Sequence, residues 1–290
     1  MKTLLRSDIP WDFAYYRTGS KVFYDYYRQH SRLLLHRIDE GYTFLRAGHV
    51  FGNTYSVIAE KIDIEPTPEL LRSIGIHHGI VFWWPMRVMN RPKWWIPIPK
   101  FIVQYLELFH SSRSAFSLLD TPDYWKKWSS SARAHRRKVL ELQSSGRLTI
   151  ELINDLSQYL EIYKKTKVPD PHKRFLTQWC EKNFPISKDR LRVYIASMDG
   201  VPLAWAVFID EGVTSEYFTS FYAKESHPYH LGIALMDRWF LDSYQKWIKY
   251  CDLDHIRDSW QSQSYAGYTK FKESIADHDV YFHDMWVKLF

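Results

Sequence analysis

Glycine is scarce in this sequence, with only 11 residues among 290. No Gly-x-Gly-x-x-Gly run follows a predicted strand, and no Gly-x-x-x-x-Gly-Lys-[Ser/Thr] run occurs. Both loops need glycine because their backbones approach a phosphate closely. The scarcity therefore argues against a Rossmann dinucleotide site and against a P-loop nucleotide site.

Cysteine and long apolar runs are also in short supply. Cys180 and Cys251 are the only cysteines, too few for a disulfide framework, so a reducing compartment is expected. Apolar runs such as Ile80–Trp84 fall far short of the roughly 18 residues of a spanning helix, and charges within Met1–Phe13 argue against a signal peptide. The histidines lack the spacing of metal ligands. We expect a cytoplasmic protein without a resident metal or transmembrane segment, and peripheral membrane contact remains open.

Aromatic residues are abundant: 13 Trp, 20 Tyr and 17 Phe make up 17% of the chain, beside 46% hydrophobic and 25% charged residues. This composition predicts a globular protein with a sizeable core. The net charge of +6 is uneven, because residues 1–145 carry +8 and residues 146–290 carry −2. The basic first half favours an anionic partner such as phosphate, RNA or membrane headgroups.

The second half of the chain has the clearer pattern. Asp199-Gly200 fits the two-residue hairpin turn that needs positive φ at both positions, and Gly146 fits a helix C-cap. Alternating and 3.6-residue periodicities give the other elements. The predicted strands are 148–153, 191–196, 203–209, 216–223, 250–255 and 280–290, and the predicted helices are 154–166, 172–183, 231–247 and 268–275.

The first half is less regular. Strands are predicted at 33–38, 42–46, 55–59 and 79–84, and a helix at 67–74 begins with Pro68. The segment Pro85–Pro99 is too rich in proline to be regular throughout. The pairs Trp83-Trp84 and Trp94-Trp95 suit either a membrane-interface or glycan-contacting patch, or buried packing between two domains.

The order of elements in the second half resembles the GNAT acyltransferase succession. Within it, an eight-residue segment resembles the Gly-x-x-x-Phe-Lys segment of FemAB/FemX-like transferases: Tyr265-Ala266-Gly267-Tyr268-Thr269-Lys270-Phe271-Lys272. Residues 114–146 resemble the entry into that family's second GNAT-like domain. The resemblance implies an α/β (α+β) fold with a mixed, mostly antiparallel sheet flanked by helices. It also implies a shortened GNAT-like domain at 1–113 and an acyltransferase domain at 114–290.

The segment Tyr229–Ala234 aligns with the loop that holds the pyrophosphate of coenzyme A in GNAT enzymes, where helix N–H groups meet an anion. Leu231, Gly232 and Ala234 are the positions that the resemblance assigns to donor binding. Tyr229 replaces the Arg or Gln of the pattern. FemX-like transferases take aminoacyl-tRNA instead of coenzyme A, so the resemblance allows either donor. The alternative for Gly232 is that it only begins a helix and binds no donor.

A basic helix is predicted over residues 122–144. At about 100° per residue, Lys126, Arg133 and Arg137 fall within about 40° of one another, and the opposite side collects Trp125, Trp128, Ala132 and Val139. Together with Arg136 these cations form a surface suited to a tRNA acceptor stem or a nucleotide-linked substrate. The alternative is a solvated helix face.

The chemistry is assigned to the last third of the chain. The resemblance places Phe271 and Lys272 at the transfer site, where Lys272 would hold a carboxylate or stabilise an oxyanion. Tyr222 would border the acyl channel and bind substrate. Asp252 and Asp254 lie at the end of a predicted strand, a place suited to a carboxylate base for the acceptor amine, and Asp252 is the assigned base. The alternatives are that Lys272 is an exposed lysine, that Tyr222 packs in the core and that the carboxylate has a structural role.

Three functions follow from these assignments. The first is amide formation from aminoacyl-tRNA and a peptidoglycan-precursor amine, and the second is acetyl or acyl transfer from acyl-coenzyme A to an amine. Both predict a V-shaped opening beside Tyr222 and Gly232, and neither requires a permanently bound cofactor. The third is a catalytically inactive GNAT-like binding module.

Overall fold

The structure is a computed structural model, and it describes residues 2–5, 37–38, 43–49, 53–59, 65, 67–73, 77–84, 93–98, 113–153, 156–157, 178–185, 188–257, 266–281 and 286–289. Spatial proximity divides the chain into two compact units. The first comprises Met1–Ala115, His255–Thr269 and His278–Phe290, and the second comprises Phe116–Asp254 and Lys270–Asp277. The predicted GNAT-like character of residues 1–113 stays a prediction.

The first unit contains a six-stranded sheet and a separate parallel pair of strands. Its elements are β1 (Lys2–Leu5), β2 (Arg37–Ile38), β3 (Thr43–His49), β4 (Asn53–Ala59), helix α1 (Pro68–Ser73), β5 (Ile80–Trp84), β6 (Ile96–Pro97), β13 (His278–Tyr281) and β14 (Trp286–Leu289). The sheet has the order β2-β3-β4-β5-β14-β6, with β4 and β5 parallel and the other neighbours antiparallel. Strand β1 pairs with β13 in parallel.

Tryptophans pack inside the first unit. Trp83 and Trp95 are fully buried, and the Trp83 ring lies 5.1 Å from Trp95 and 5.3 Å from Trp286, centroid to centroid. The indole N–H of Trp95 donates to Oε1 of Glu65 at 2.7 Å. The expectation of buried packing is thus correct for these two residues, although the packing lies within a unit rather than between domains. Trp94 is 73% exposed.

The second unit is built on a mostly antiparallel sheet flanked by helices, as predicted. Its elements are β7 (Arg113–Leu118, beginning in the first unit), helix α2 (Ser130–Ser144), β8 (Leu148–Leu152), β9 (Leu191–Met198), β10 (Val201–Glu211), β11 (Thr214–Tyr222), helix α3 (Leu231–Gln245), β12 (Tyr250–His255) and helix α4 (Ala266–Ile275). The strand order is β7-β12-β11-β10-β9-β8. Only β11 and β12 form a parallel pair among the neighbours from β8 to β12.

The turns follow the backbone preferences of their residues. Asp199 and Gly200 have φ of 50° and 79°, which confirms the predicted two-residue turn between β9 and β10. Gly146 has φ of 73° directly after α2, where it ends the helix as a left-handed residue. These positions require glycine or a short polar side chain, so the sequence signals were unambiguous.

The core of the second unit is aromatic. Helix α3 buries Trp239 and Phe240 against the sheet, and the Trp239 ring stacks on Phe208 at 4.3 Å between centroids. Trp205 stacks on Phe221 at 5.1 Å. Burying aromatic rings of this size supplies much of the apolar area removed from water on folding.

A buried arginine connects three strands to α3. Arg192 is 2% exposed, and its guanidinium donates to Oδ1 of Asp210 at 2.6 and 3.1 Å and to the hydroxyls of Ser215 and Ser243, each at 2.7 Å. A planar guanidinium suits such a site because its five donors are fixed in one fork. The network fixes β9, β10, β11 and α3 relative to one another.

The predicted basic helix 122–144 is wrong as a single helix. A 3-10 helix over Tyr124–Lys127 precedes α2, and Trp128 between them is extended, with ψ of 156°. Ser129 caps α2 by accepting the backbone N–H of Ala132 at 3.2 Å. A serine side chain that satisfies a free helix N–H favours a start at this residue, so Lys126 is not on the helix of Arg133 and Arg137.

The C-terminal strand also differs from its prediction. The single strand expected over 280–290 is divided into β13 and β14, which belong to different sheets. Both halves are extended, so the local pattern was correct, whereas the partner of each half is set by tertiary pairing. Of the predicted helices, 154–166 lies outside the described residues apart from 156–157, and of 172–183 only 178–183 are described, as helix.

No helix among the described residues is long and apolar enough to cross a membrane. Both cysteines are buried as free thiols. Burial raises the pKa of the Cys251 thiol far above its usual value, so this thiol is protonated at neutral pH and is not a nucleophile.

Candidate functional site

The parallel strands β11 and β12 separate along their length. Their pairing runs from Thr214–Tyr250 to Glu216–Asp252 and then ends, although β11 continues to Tyr222 and β12 to His255. The two strands therefore share no ladder beyond Glu216 and Asp252. This is the place at which the sequence predicts an opening, beside Tyr222.

Helix α3 begins close to the end of β11. His230, its N-cap, is held in the left-handed region with φ of 54°, and its carbonyl accepts the N–H groups of Ile233 and Ala234. Within the described part of the chain, the N–H groups of Leu231 and Gly232 have no acceptor. Free N–H groups at the positive end of a 15-residue helix attract anions.

Three predicted residues meet at the start of α3. A Cβ atom added to Gly232 would lie 3.4 Å from Cζ and 3.5 Å from Cε2 of Phe271, and 3.5 Å from the Tyr222 hydroxyl oxygen. The absence of a side chain at Gly232 thus leaves a methyl-sized gap between a ring and a hydroxyl. We call Gly232, Tyr222 and Phe271, with the free N–H groups of Leu231 and Gly232, the α3 cradle.

Hydroxyl groups extend from the cradle along β11. The Tyr217 and Ser220 hydroxyls are hydrogen-bonded at 2.5 Å, and both interact with the Tyr222 hydroxyl. Desolvation raises the pKa of Tyr222 above its usual value, and these hydrogen bonds partly oppose the rise. Tyr222 is therefore neutral at physiological pH and keeps a proton to donate.

Lys272 lies beneath these hydroxyls as part of a buried ion pair. Its side chain is 1% exposed, and its Nζ lies 3.7 Å from Oδ2 of Asp254, which is 4% exposed. The same Nζ lies 5.4 Å from the centre of the Tyr217 ring. A charge buried this deeply needs a partner, so the alternative of an exposed lysine does not apply.

Asp252, the predicted base, is turned toward the backbone. It is 2% exposed, and its Oδ1 accepts the N–H of Asp254 at 2.8 Å. Asp254 itself has φ of 66°, a conformation that short polar residues tolerate best. Asp252 thus supports the bend that presents Asp254 to Lys272, and its role as a base stays a prediction.

The architecture matches solved structures. Neither a family profile nor a curated protein sequence matches this chain. The crystal structure of FemX matches with a TM-score of 0.67 at 9% identity, covering 93% of this chain and 91% of that one. This chain has a FemX-like GNAT fold. Identity this low extends the likeness to the fold alone.

Two further structures share the FemX-like fold, each with a TM-score of 0.50 and 11% identity. One is L-PGS from Bacillus licheniformis, covering 92% of this chain and 90% of that one. The other is the C-terminal domain of a putative lysylphosphatidylglycerol synthetase from Agrobacterium fabrum, covering 89% and 84%. The predicted fold class and the resemblance to FemX are therefore confirmed at the level of the fold.

A basic pocket lies at the start of α2. It has a volume of about 400 Å³ and is lined by Trp125, Ser130, Arg133, Arg136 and Arg137. We call it the α2 pocket. Trp125 was expected on the buried side of the helix, but it lies in the pocket wall because the chain bends at Trp128. Trp128, Ala132 and Val139 are buried as predicted.

The arginines of the α2 pocket differ in their partners. Arg136 donates from Nε to Oδ1 of Asp237 at 2.7 Å, and its guanidinium lies 4.9 Å from the centre of the Trp125 ring. Within the described residues, no carboxylate pairs with Arg133 or Arg137, and both are exposed. Lys126 is outside the pocket and pairs with Asp123.

A pair of stacked histidines connects α2 to the N-cap of α3. The rings of His135 and His230 lie 3.8 Å apart, centroid to centroid, with 12° between their planes. Burial, followed by the proximity of His135 and of Lys138, lowers the pKa of His230 below its usual value. A neutral His230 therefore caps the cradle at neutral pH.

The structure thus unites most of the predicted site residues in two places. Around the α3 cradle lie four of them: Gly232, Tyr222, Phe271 and Lys272. The α2 pocket is lined by three others: Arg133, Arg136 and Arg137. The Leu231 side chain is buried, and this residue contributes only its backbone N–H to the cradle. Ala234 is also buried, but its N–H is bonded to the His230 carbonyl, so it contributes no group to the cradle. No sequence signal pointed to Ser220, Asp237 or the His135–His230 stack, because no local spacing relates residues of separate elements.

Proposed function

We propose that this protein is an N-acyltransferase that forms an amide from aminoacyl-tRNA and the amine of a peptidoglycan precursor. The observation that carries the proposal is the convergence of Gly232, Tyr222, Phe271 and Lys272 where β11 and β12 separate. These residues come from β11, α3 and α4; the Phe271 ring of α4 lies beside Gly232 at the start of α3, and Lys272 lies beside Asp254 and the Tyr217 ring. The FemX-like fold supports acyl transfer in general.

The reaction forms one bond and breaks one. The acceptor nitrogen attacks the ester carbonyl carbon, the C–O bond to the carrier hydroxyl breaks, and the amine proton ends on the departing oxygen. Negative charge develops on the carbonyl oxygen in between, so donors aimed at that oxygen accelerate the step. Holding the amine against the carbonyl supplies a further large part of the acceleration.

The cradle offers groups for each task. The neutral Tyr222 hydroxyl donates to the developing oxyanion, and the Phe271 ring forms the apolar wall beside the ester. The free N–H groups of Leu231 and Gly232 take an anionic group of the donor. Lys272 is a positioning residue: it neutralises Asp254 and supports the Tyr217 ring, which holds the hydroxyl cluster in place.

Aminoacyl-tRNA is the preferred donor because of charge. Residues 1–145 carry +8, and Arg133 and Arg137, which have no carboxylate partner among the described residues, are exposed on α2. Exposed cations bind nucleic acid phosphates by releasing counterions. A specific observation also favours acyl-coenzyme A as a second candidate, since free N–H groups beside a glycine at a helix start suit a pyrophosphate.

The proposal is tested by giving the purified protein labelled aminoacyl-tRNA and labelled acetyl-coenzyme A in separate reactions, each with a peptidoglycan-precursor peptide amine. Label should pass to the peptide from the aminoacyl-tRNA. Transfer only from acetyl-coenzyme A would select the second candidate. Binding of either donor without transfer would select the inactive module and refute the proposal.

Site variants then locate the chemistry. Replacing Tyr222 by Phe removes one donor to the oxyanion and should lower the transfer rate roughly 100-fold. Tyr244→Phe, a matched change on the partly exposed side of α3, should leave the rate unchanged. Lys272→Met should lower the rate, whereas Lys270→Met, two residues away and exposed, should not. Equal rates within either pair would contradict these roles.

A further inference from the structure

The α2 pocket has the chemistry of a nucleotide site. We propose that it binds the phosphate monoester of a nucleotide, with Arg133, Arg136 and Arg137 around the phosphate and Trp125 beside the base or sugar. The inference rests on the proposed function only in that the donors considered there carry nucleotides. It concerns a site separate in sequence from the cradle, and it is tested by binding without turnover.

One arginine is held in place before any ligand arrives. Arg136 is fixed by Asp237 and by the Trp125 ring, and Asp237 also accepts the Tyr124 hydroxyl at 2.8 Å. Burial and Asp237 raise the pKa of Tyr124 far above its usual value, so this hydroxyl stays a donor. The contact with Asp237 uses the Nε–H of Arg136 and not the donors on its terminal nitrogens. A fixed guanidinium loses little freedom on binding a phosphate.

Arg133 and Arg137 supply the remaining positive charge of the α2 pocket. Arg133 and Arg137 lie one turn apart on α2, and with Ser130 they follow the i, i+3, i+7 spacing of one helix face. The three guanidinium groups and the Asp237 carboxylate leave a net charge of +2 around the pocket. A phosphate monoester carries about −1.5 to −2 near neutral pH, whereas a backbone diester carries about −1. The charge therefore favours a monoester.

The cavity has room for more than a phosphate. Its volume of about 400 Å³ falls among small-ligand pockets, which span roughly 300–1,000 Å³. Trp125 is partly exposed in its wall, and nucleobases stack on aromatic side chains. Ser130 adds a hydroxyl-bearing side chain to the pocket lining. A nucleoside monophosphate uses all of these features.

The first experiment measures equilibrium binding of 5′-AMP, adenosine and ribose 5-phosphate by calorimetry at a fixed salt concentration. 5′-AMP should bind at least about tenfold more tightly than adenosine, because charge-assisted hydrogen bonds to the phosphate are lost. It should also bind more tightly than ribose 5-phosphate, which lacks a ring to stack. No saturable 5′-AMP binding, or equal binding of 5′-AMP and adenosine, would overturn the proposal.

Matched variants separate the pocket from general electrostatics. Arg133→Gln and Arg137→Gln should each weaken 5′-AMP binding about tenfold or more. Lys138→Gln, which removes one charge from the same helix outside the pocket lining, should change it less than about threefold. All three positions are exposed, so folding is checked by thermal unfolding. Equal weakening by Lys138→Gln would overturn the proposal.

Two further comparisons identify the source of the phosphate. One pairs an acceptor-stem RNA hairpin bearing a 5′-phosphate with the same hairpin bearing a 5′-hydroxyl. The other pairs coenzyme A with dephospho-coenzyme A, which lacks the 3′-phosphate. We expect a phosphate-dependent difference in the RNA pair that Arg133→Gln abolishes. A difference only in the coenzyme A pair would support phosphate binding in the α2 pocket but refute tRNA as the donor. No difference in either pair would refute phosphate binding in this pocket.

Discussion

Replacing Gly232 by Ala separates the function of the α3 cradle from the stability of the fold. The added methyl would lie 3.4–3.5 Å from Phe271 and Tyr222, which is ordinary van der Waals contact, so no clash is expected. Alanine is more favourable than glycine within a helix by about 1 kcal/mol. Because Gly232 is the second residue of α3, we expect about 0.5–1 kcal/mol of stabilisation and an unchanged or higher Tm.

Donor binding should change in the opposite direction. The methyl fills the gap beside the free N–H groups, which an anionic group of the donor must enter to within hydrogen-bond distance. Losing a hydrogen bond to a charged group costs about 1.5–3 kcal/mol, which is roughly a 10- to 100-fold weaker donor affinity. The variant should thus be as stable as the wild type or more so, and a poorer transferase.

The assay combines thermal unfolding with the donor Kd and the single-turnover transfer rate. Gly267→Ala is the matched control, because Gly267 is also the second residue of a helix and has nothing within 4 Å of an added Cβ. The control should gain similar stability and keep its donor affinity. Unchanged donor affinity in Gly232→Ala would refute the cradle, and a Tm lowered by several degrees would refute the packing argument.

Three further predictions concern stability. Asp254→Asn removes the carboxylate whose Oδ2 lies 3.7 Å from the buried Lys272 Nζ and should cost about 3–5 kcal/mol in urea unfolding; a loss below about 1 kcal/mol would contradict the ion pair. Because the pKa of His230 is lowered, the folded protein binds fewer protons than the unfolded chain, and the free energy of unfolding should fall as pH drops below about 6.5. His230→Asn should lessen that fall between about pH 7.5 and 5.5, and an equal fall would exclude His230 as its source. Arg192→Gln removes the buried network and should cost about 3 kcal/mol or more, whereas Arg190→Gln, whose pair with Glu211 is partly exposed, should cost less than about 1 kcal/mol; similar losses would argue against the network.

Local sequence signals predicted the elements whose cause is local. Four features lie where the sequence predicts them: the Asp199-Gly200 turn, the helix that begins at Pro68, the strand Tyr250–His255 and the end of α2 at Gly146. Each depends on the conformational preference of one or two residues. The motif Phe271-Lys272 and the loop around Gly232 were likewise visible as short patterns.

The errors arose where two local preferences compete. Helical spacing from 122 to 144 favours one helix, but Ser129 offers a cap that begins α2 later. This bend turned Trp125 from an expected core residue into a wall of the α2 pocket. At the C-terminus, β13 and β14 are both extended, and their separation into two sheets depends on the strands available to pair with each.

The order of the elements and the short patterns around Gly232 and Phe271 were enough to predict a GNAT-like fold by resemblance, whereas composition predicted only a sizeable core, no glycine-rich nucleotide loop and a positively charged first half. Only the tertiary structure decided that Asp254 rather than Asp252 faces Lys272, that Phe271 and Tyr222 meet at Gly232, and that Arg136 is fixed by Asp237. These contacts join residues that are distant in the chain. Their geometry is set by how strands and helices pack, and local propensity does not encode that packing.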